Sequence, residues 1–381
     1  MSAFFTWLAG LPPLAQVPIV IVAFGITIGL VIFFIEIAPR PGRGYSIMRL
    51  AVAIGVPLVI LLLLGVQAGA FWVFILAAVL GGGLFWLDFR SRSGSGYLLQ
   101  LFAFLSPALL LLVVGMVYPA IQTFVNAFLS NDGTQFVGFA NFAWVFSGGT
   151  AGSIAFINTI VWVIIAPVFA TAIGLAYAVF VDRSRGERVL KVFIFMPVAI
   201  SLVGASLIFK FFFDYTEDPQ LGFLNAIVEL FGGQPVPWLQ NYPLNMLLLI
   251  VILIWTQTGF AMVLLSSAIK GVPTEQIEAA ELDGTNAWQR FWNVTVPAIR
   301  PTIVVVWITI SIVALKVYDI IATTTGGHND TTVLGYEMVK QFQILPPQAG
   351  HSAALALLIF VLVTPFIVYN ARNLKRQREE L

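Results

Sequence analysis

The chain has 381 residues, of which 59% are hydrophobic and only 10% charged, and its mean hydropathy is +0.96. A soluble domain carries roughly 25% charged residues, so this composition excludes a water-facing surface over most of the molecule. The net charge of +1 argues against nucleic acid as a partner, and the lack of cysteine excludes disulfides, thiolate metal sites and cysteine nucleophiles.

Residues 1–18 hold no Lys or Arg. They therefore lack the basic start of a cleavable signal, and the first apolar run is expected to be a retained span. A helix crosses the hydrocarbon core, about 30 Å thick, with about 20 apolar residues. The stretches 17–37, 47–66, 71–87, 98–120, 154–181, 189–211, 244–268, 302–321 and 353–369 meet that need. Pro57, Pro107, Pro167, Pro197 and Pro365 fall inside them, as spanning helices tolerate. The expected fold is all-α and polytopic, with about nine transmembrane helices.

Basic residues set the orientation, because short cytoplasmic loops collect them. Arg40, Arg43 and Arg49 follow the first span, and Arg90 and Arg92 follow the third. Arg183, Arg185, Arg188 and Lys191 follow the fifth, Lys270, Arg290 and Arg300 the seventh, and Arg372, Lys375, Arg376 and Arg378 the last. All the basic residues except Lys210, Lys316 and Lys340 thus fall on one side, which places the N-terminus outside and the C-terminus inside. The polar linker 88–96 (DFRSRSGSG) separates three spans from six. Residues 1–92 are read as an accessory region and 93–381 as the core.

The most informative connection is 270–301, KGVPTEQIEAAELDGTNAWQRFWNVTVPAIRP. Pro273 and Thr274 suit a helix start, with Glu275 and Glu278 in its early turns, where the helix dipole favours acids. Gly284 suits the left-handed residue that closes such a helix. Asn286 suits the cap of a second short helix, which would carry Trp288, Phe291 and Trp292 on one face. The expected structure is a helix–turn–helix under the membrane.

Within it, Glu278-Ala279-Ala280 is followed after three residues by Gly284, and after nine more by Val294-Thr295-Val296-Pro297. This resembles the EAA loop of permease subunits of binding-protein-dependent ABC importers, which reads Glu-Ala-Ala, three residues, Gly, nine residues, Ile-x-Leu-Pro. Val stands here for the Ile and for the Leu. Asp283 and Trp288-Gln289 are similar to the maltose-type carbohydrate branch. So are Val137-Gly138-Phe139, Asn141-Phe142, Asn158-Thr159, Phe195-Met196-Pro197, Tyr318-Asp319 and Thr325-Gly326-Gly327. The likeness runs from about residue 98 to the end.

The resemblance implies that Glu278, Ala279, Ala280, Asp283, Gly284 and Pro297 couple the chain to a cytoplasmic ATPase. It also implies sugar contacts in the seventh and eighth spans, on Thr256, Gln257, Phe260, Thr309, Lys316 and Tyr318. The residues suit that use, since sugar sites combine aromatic faces with hydrogen-bonding groups. Phe260 and Trp255 are residue types more often used for plain packing or lipid contact, and Lys316 and Asp319, three apart and so expected on one helical face, equally suit an interfacial pair.

No GxxxxGK[ST] phosphate loop occurs, so ATP and Mg are expected on partner subunits, with no cofactor in this chain. His328 and His351 lack metal-ligand spacing, and no metal is expected. The resemblance implies two ATPase copies, a second homologous permease, an extracytoplasmic sugar-binding protein and a bacterial inner-membrane location. It also implies a carbohydrate cargo, an oligosaccharide or glycoside, with an α-glucoside suggested by the resemblance alone. The alternative is an ion-coupled secondary transporter, which would carry repeats with corresponding broken helices.

Overall fold

The computed structural model describes residues 112–182, 184–215 and 222–379, besides Ala51, Gly55, Leu105 and Leu109. The chain divides into two compact units, Met1–Pro119 and Ala120–Leu381. The first three expected spans, and the fourth as far as residue 111, lie outside the described residues apart from those isolated positions, as does most of the accessory region.

In chain order the helices are α1 (Tyr118–Asn126), α2 (Ala140–Phe146), α3 (Ala151–Val181), α4 (Glu187–Phe195), α5 (Leu202–Phe212), α6 (Phe223–Leu230), α7 (Leu244–Lys270), α8 (Thr274–Leu282) and α9 (Ala287–Arg290). They continue with α10 (Val296–Leu315), α11 (Asp319–Thr323), α12 (Leu334–Gln343) and α13 (Ala349–Glu379). Among the described residues β structure is confined to an isolated bridge, Leu129–Phe136.

The second unit is organised around α3, α7 and α10. Thr150 caps α3 by accepting from the Ser153 N–H. Along α3 the residues Ala155, Thr159, Trp162, Ala166, Ala170, Gly174 and Ala178 are buried, at intervals of three and four. In lipid there is no hydrophobic drive between helices, so close backbone approach over small residues supplies the packing. Gly174 shows how close: a Cβ there would lie 2.6 Å from the Ala261 Cβ and 2.9 Å from the Met262 N of α7. Ala170, Ala178, Ala261, Met262, Leu265, Val306 and Ile310 form one core cluster of these three helices. Trp162, Leu249, Ile250 and Leu253 form another, with Ile320, Ile321 and Val333 of the later segments.

Two expected spans depart from a single rod. The stretch 189–211 is two helices, α4 and α5, joined through a 3₁₀ turn (Met196–Ala199) and bent by 98°. Pro197 withholds a backbone donor. Ser201 then restarts the helix by accepting from the Gly204 N–H at 3.1 Å. Gly259 of α7 fits against the break, where a Cβ would lie 2.5 Å from the Ile194 O.

The stretch 302–321 stops at Leu315, because Lys316 leaves helical geometry (φ −106°). At its other end the helix reaches back to Ala287, making one apolar helix Ala287–Leu315. Pro297 is absorbed there because Phe291–Thr295 is a π turn, which shifts the bonding register ahead of the missing N–H. Counting the bent pair, up to five candidate crossings lie among the described residues.

Candidate functional site

The segment after Lys270 is an autonomous polar hairpin of helices. Val272 is buried and Pro273, extended at ψ 133°, precedes α8. Ala280 is the buried residue of α8, while Glu278, Ala279 and Asp283 are exposed. The helix ends as the spacing predicts. Gly284 sits at φ +77°, and the Thr285 N–H and Oγ1 both donate to the Ala280 O. Asn286 then builds a full capping box: its Oδ1 accepts from the Gln289 N–H at 2.8 Å, and Gln289 Oε1 accepts from the Asn286 N–H at 3.0 Å. Arg290 returns to Glu281 at 2.9 Å and clips the two helices together. That clip escaped the sequence reading, since nothing in a nine-residue separation marks it.

The hairpin presents apolar surface where a polar connection has no packing need for it. Leu282 is 90% exposed, Trp288 69% and Trp292 48%. The rings of Trp288, Phe291 and Trp292 lie 5.2–6.3 Å apart in a tilted and edge-on cluster, so they share a face. Exposed apolar groups rimmed by carboxylates mark a surface for a protein partner. Pro297, also exposed, lies beyond the π turn at the root of α10.

The expected path residues are more dispersed. Thr256, Gln257 and Phe260 lie on α7. Thr256 is buried and its hydroxyl donates to the Leu253 O at 3.0 Å. Thr309, on α10, does the same to the Val305 O at 2.8 Å. Both hydroxyls thus spend their proton on their own helix and keep only lone pairs for a ligand. Phe260 packs against the α3–α7–α10 cluster and Gln257 is half-buried.

Lys316 is exposed at the end of α10, and Tyr318 follows outside the helix. Since the helix stops before Lys316, that residue and Asp319 do not share a helical face, and among the described residues they form no ion pair. Tyr318 stacks on Tyr336 at 5.8 Å. The two rings, with Ala322, Lys340, Gln343 and Ile344, line a recess of 290 Å³. Burial, then Tyr318 and Glu337, push the Tyr336 phenol above its ordinary value, and it donates to the Gly326 O at 2.8 Å. Of the expected path residues Tyr318 enters this recess.

The segment that frames the recess is fastened from afar. Asn158 Nδ2 donates to the carbonyls of Asp330 (2.6 Å) and Thr332 (2.8 Å). Thr159 Oγ1 accepts from the Leu334 N–H at 2.9 Å, and Asn245 Nδ2 donates to the Asn329 O at 2.8 Å. Asn329 and Asp330 take positive φ, a conformation that Asn and Asp tolerate better than most side chains.

Comparison with known proteins places this architecture. The family described as "Binding-protein-dependent transport system inner membrane component" matches residues 168–378. The α-glucoside transport system permease protein AglF of Rhizobium meliloti is 43% identical over 72% of this chain and 82% of its own length. The osmoprotective compounds uptake permease protein GgtC of Synechocystis is 40% identical over 72% of this chain and 99% of its own. Among solved structures, a chain of a bacterial ABC transporter that imports the acidic polysaccharide alginate superposes with a TM-score of 0.62. It is 20% identical, over 76% of this chain and 98% of that one, which shows a shared fold.

Proposed function

The chain belongs to the inner-membrane components of binding-protein-dependent transport systems, and on that premise we propose that it is the permease subunit of an ATP-driven carbohydrate importer. The cargo is an oligosaccharide or glycoside, with an α-glucoside favoured by the likeness to AglF. The observation that carries the coupling role is the hairpin α8–α9, a rigidly capped turn presenting Glu278, Leu282 and Trp288 outward. Membership of this family sets aside the ion-coupled secondary transporter.

In this reading the hairpin seats in a cleft of a separate ATPase subunit, two copies of which bind ATP and Mg. Ala279 is small and exposed, so a partner surface can approach the helix backbone. Glu278 offers a carboxylate to a basic residue, and Gly284 allows the tight reversal. Closure of the ATPase pair on ATP moves the hairpin. Because the segment Ala287–Leu315 is one continuous helix, that motion enters the membrane without an intervening joint. A second, homologous permease completes the path. The segments 121–152, 212–243 and 322–351 face outward to receive a sugar-binding protein. Thr256, Gln257, Phe260, Thr309, Lys316 and Tyr318 serve the sugar along the way.

The test is uptake by the complete complex in proteoliposomes, with a panel of maltose, trehalose, sucrose, lactose and alginate oligosaccharides. ATP-dependent uptake of an α-glucoside that also requires the binding protein is expected. Uptake driven by a proton or sodium gradient without ATP would overturn the reading.

A further inference from the structure

Where α7 ends and the hairpin begins, the ends of three helices meet in a cluster of charges outside both sites described so far. Asp182 follows the last residue of α3 and is only 10% exposed at its side chain. A carboxylate at a helix C-terminus faces the negative end of the helix dipole, so it is poorly placed unless other elements hold it. They do. Lys191 of α4 lies 2.6 Å from Asp182 Oδ1. Ser266 of α7, itself buried, donates to the same oxygen at 2.7 Å, and Lys191 Nζ also bonds the Ser266 hydroxyl.

Lys191 reaches Glu187 one turn earlier at 2.8 Å. Lys270, the last residue of α7, bonds Glu187 from the far side and lies 3.9 Å from Asp182. Two ammonium groups and two carboxylates therefore balance within one cluster that spans α3, α4 and α7. Isolated surface pairs contribute little. A shared, partly buried network differs, because removing one member strands the others in a poorly solvated place.

The position matters as much as the charge. Lys270 is the root of the hairpin: Gly271, Val272 and Pro273 alone separate it from α8. Val272 is buried, which shortens the free lever further. On the other side, α3 runs the length of the core against α7, and α4 leads directly into the bend at Pro197–Ser201.

We propose that Asp182, Lys191, Glu187, Lys270 and Ser266 form an ionic joint that makes α3 and α4 travel with the hairpin when the partner ATPase moves it. Asp182 and Lys191 are its positioning residues. Without the joint, displacement of α8 still moves α10 but bends the end of α7, and α3 and α4 are left behind. The inference rests on the coupling role proposed for the hairpin.

The test uses the complete complex in proteoliposomes, supplied with trehalose or maltose, whichever the wild type transports. In Asp182→Asn the ATPase is expected to stay bound and hydrolyse ATP, while sugar delivered per ATP falls about tenfold, the scale of a typical coupling between sites. Lys191→Met should behave likewise, and Lys191→Arg, which keeps the cation, should restore coupling. Spin labels on Arg185→Cys and Glu275→Cys, both exposed positions, give a second readout that tolerates a poorly active variant. Their separation should be unchanged by ATP in the wild type, as one rigid body requires. It should change with ATP in Lys191→Met.

A wild-type ratio of sugar to ATP in Asp182→Asn, or a label separation that already shifts with ATP in the wild type, would overturn the joint. Failure of the coupling role itself would look different. There, changes at Glu278 would leave the ATPase bound and uptake intact, whatever the charge cluster does.

Discussion

The hairpin 271–295 and the segment 324–343 are both connections between apolar helices, and they differ in whether the spans hold them too. In the hairpin every fixing bond is short in sequence: Thr285 to Ala280, Asn286 to Gln289, Arg290 to Glu281. The segment 324–343 has local bonds as well, such as Tyr336 to Gly326 and Thr332 to Glu337, but it is also tied to α3 and α7, with Asn158 and Thr159 reaching Asp330, Thr332 and Leu334, and Asn245 reaching Asn329. A locally closed unit keeps its shape while it is moved as a body. A segment fastened to two spans moves only as they do. The first arrangement suits a part that docks and is pushed, the second a part that must report the state of the spans.

That contrast can be broken most severely at Asn158. Asn158→Leu leaves the buried Thr332 carbonyl and the part-buried Asp330 carbonyl without their donor, at a cost of about 2 kcal/mol. The expected result is a lower melting temperature in detergent and new protease cleavage within 324–334. Unchanged melting and cleavage would mean that the segment is held by its own residues after all.

Gly284→Asp acts on the other region. A side chain at φ +77° costs about 1 kcal/mol, so melting should shift little. Uptake should nonetheless be lost, because the new side chain meets the docked partner. Normal uptake would show that the turn does not lie in an interface. The smallest effect is expected from Asn286→Ala, which removes the cap of α9 and costs about 1 kcal/mol or less at this exposed site. Hydrogen exchange should rise in 284–290 and remain unchanged in 324–343. Protection lost in both regions would mean that they are not independent.

The same contrast explains what could be read in the sequence. The start of α8 at Thr274, the left-handed Gly284 and the cap at Asn286 are local chemistry, and each appears where its residue type demands. The bend inside 189–211 was not legible, because Pro197 is tolerated in spanning helices and hydropathy carries no direction. The end of α10 at Leu315 was hidden because Val317, Ile320 and Ile321 extend the apolar run. They do so by packing into the core from a separate turn and helix. Pro297 and Pro301 precede the expected span at 302, yet the helix starts before both: the π turn at Phe291–Thr295 absorbs the first and the helix continues through the second. The links of Ser266 and Lys270 into the charge cluster, and the fastening by Asn158, join residues more than 70 positions apart. No spacing rule reaches that far.

The central claim is that Glu278 and its hairpin join this permease to a separate ATPase. It is tested most directly by Glu278→Lys in the assembled complex, scored by ATPase co-purification and sugar uptake. The change lies on an exposed position outside the apolar helices, so the protein should accumulate normally. The expected result is loss of the ATPase and of uptake together, with partial recovery when a basic residue in the ATPase cleft is made acidic. Wild-type retention of the ATPase with wild-type uptake would contradict the account.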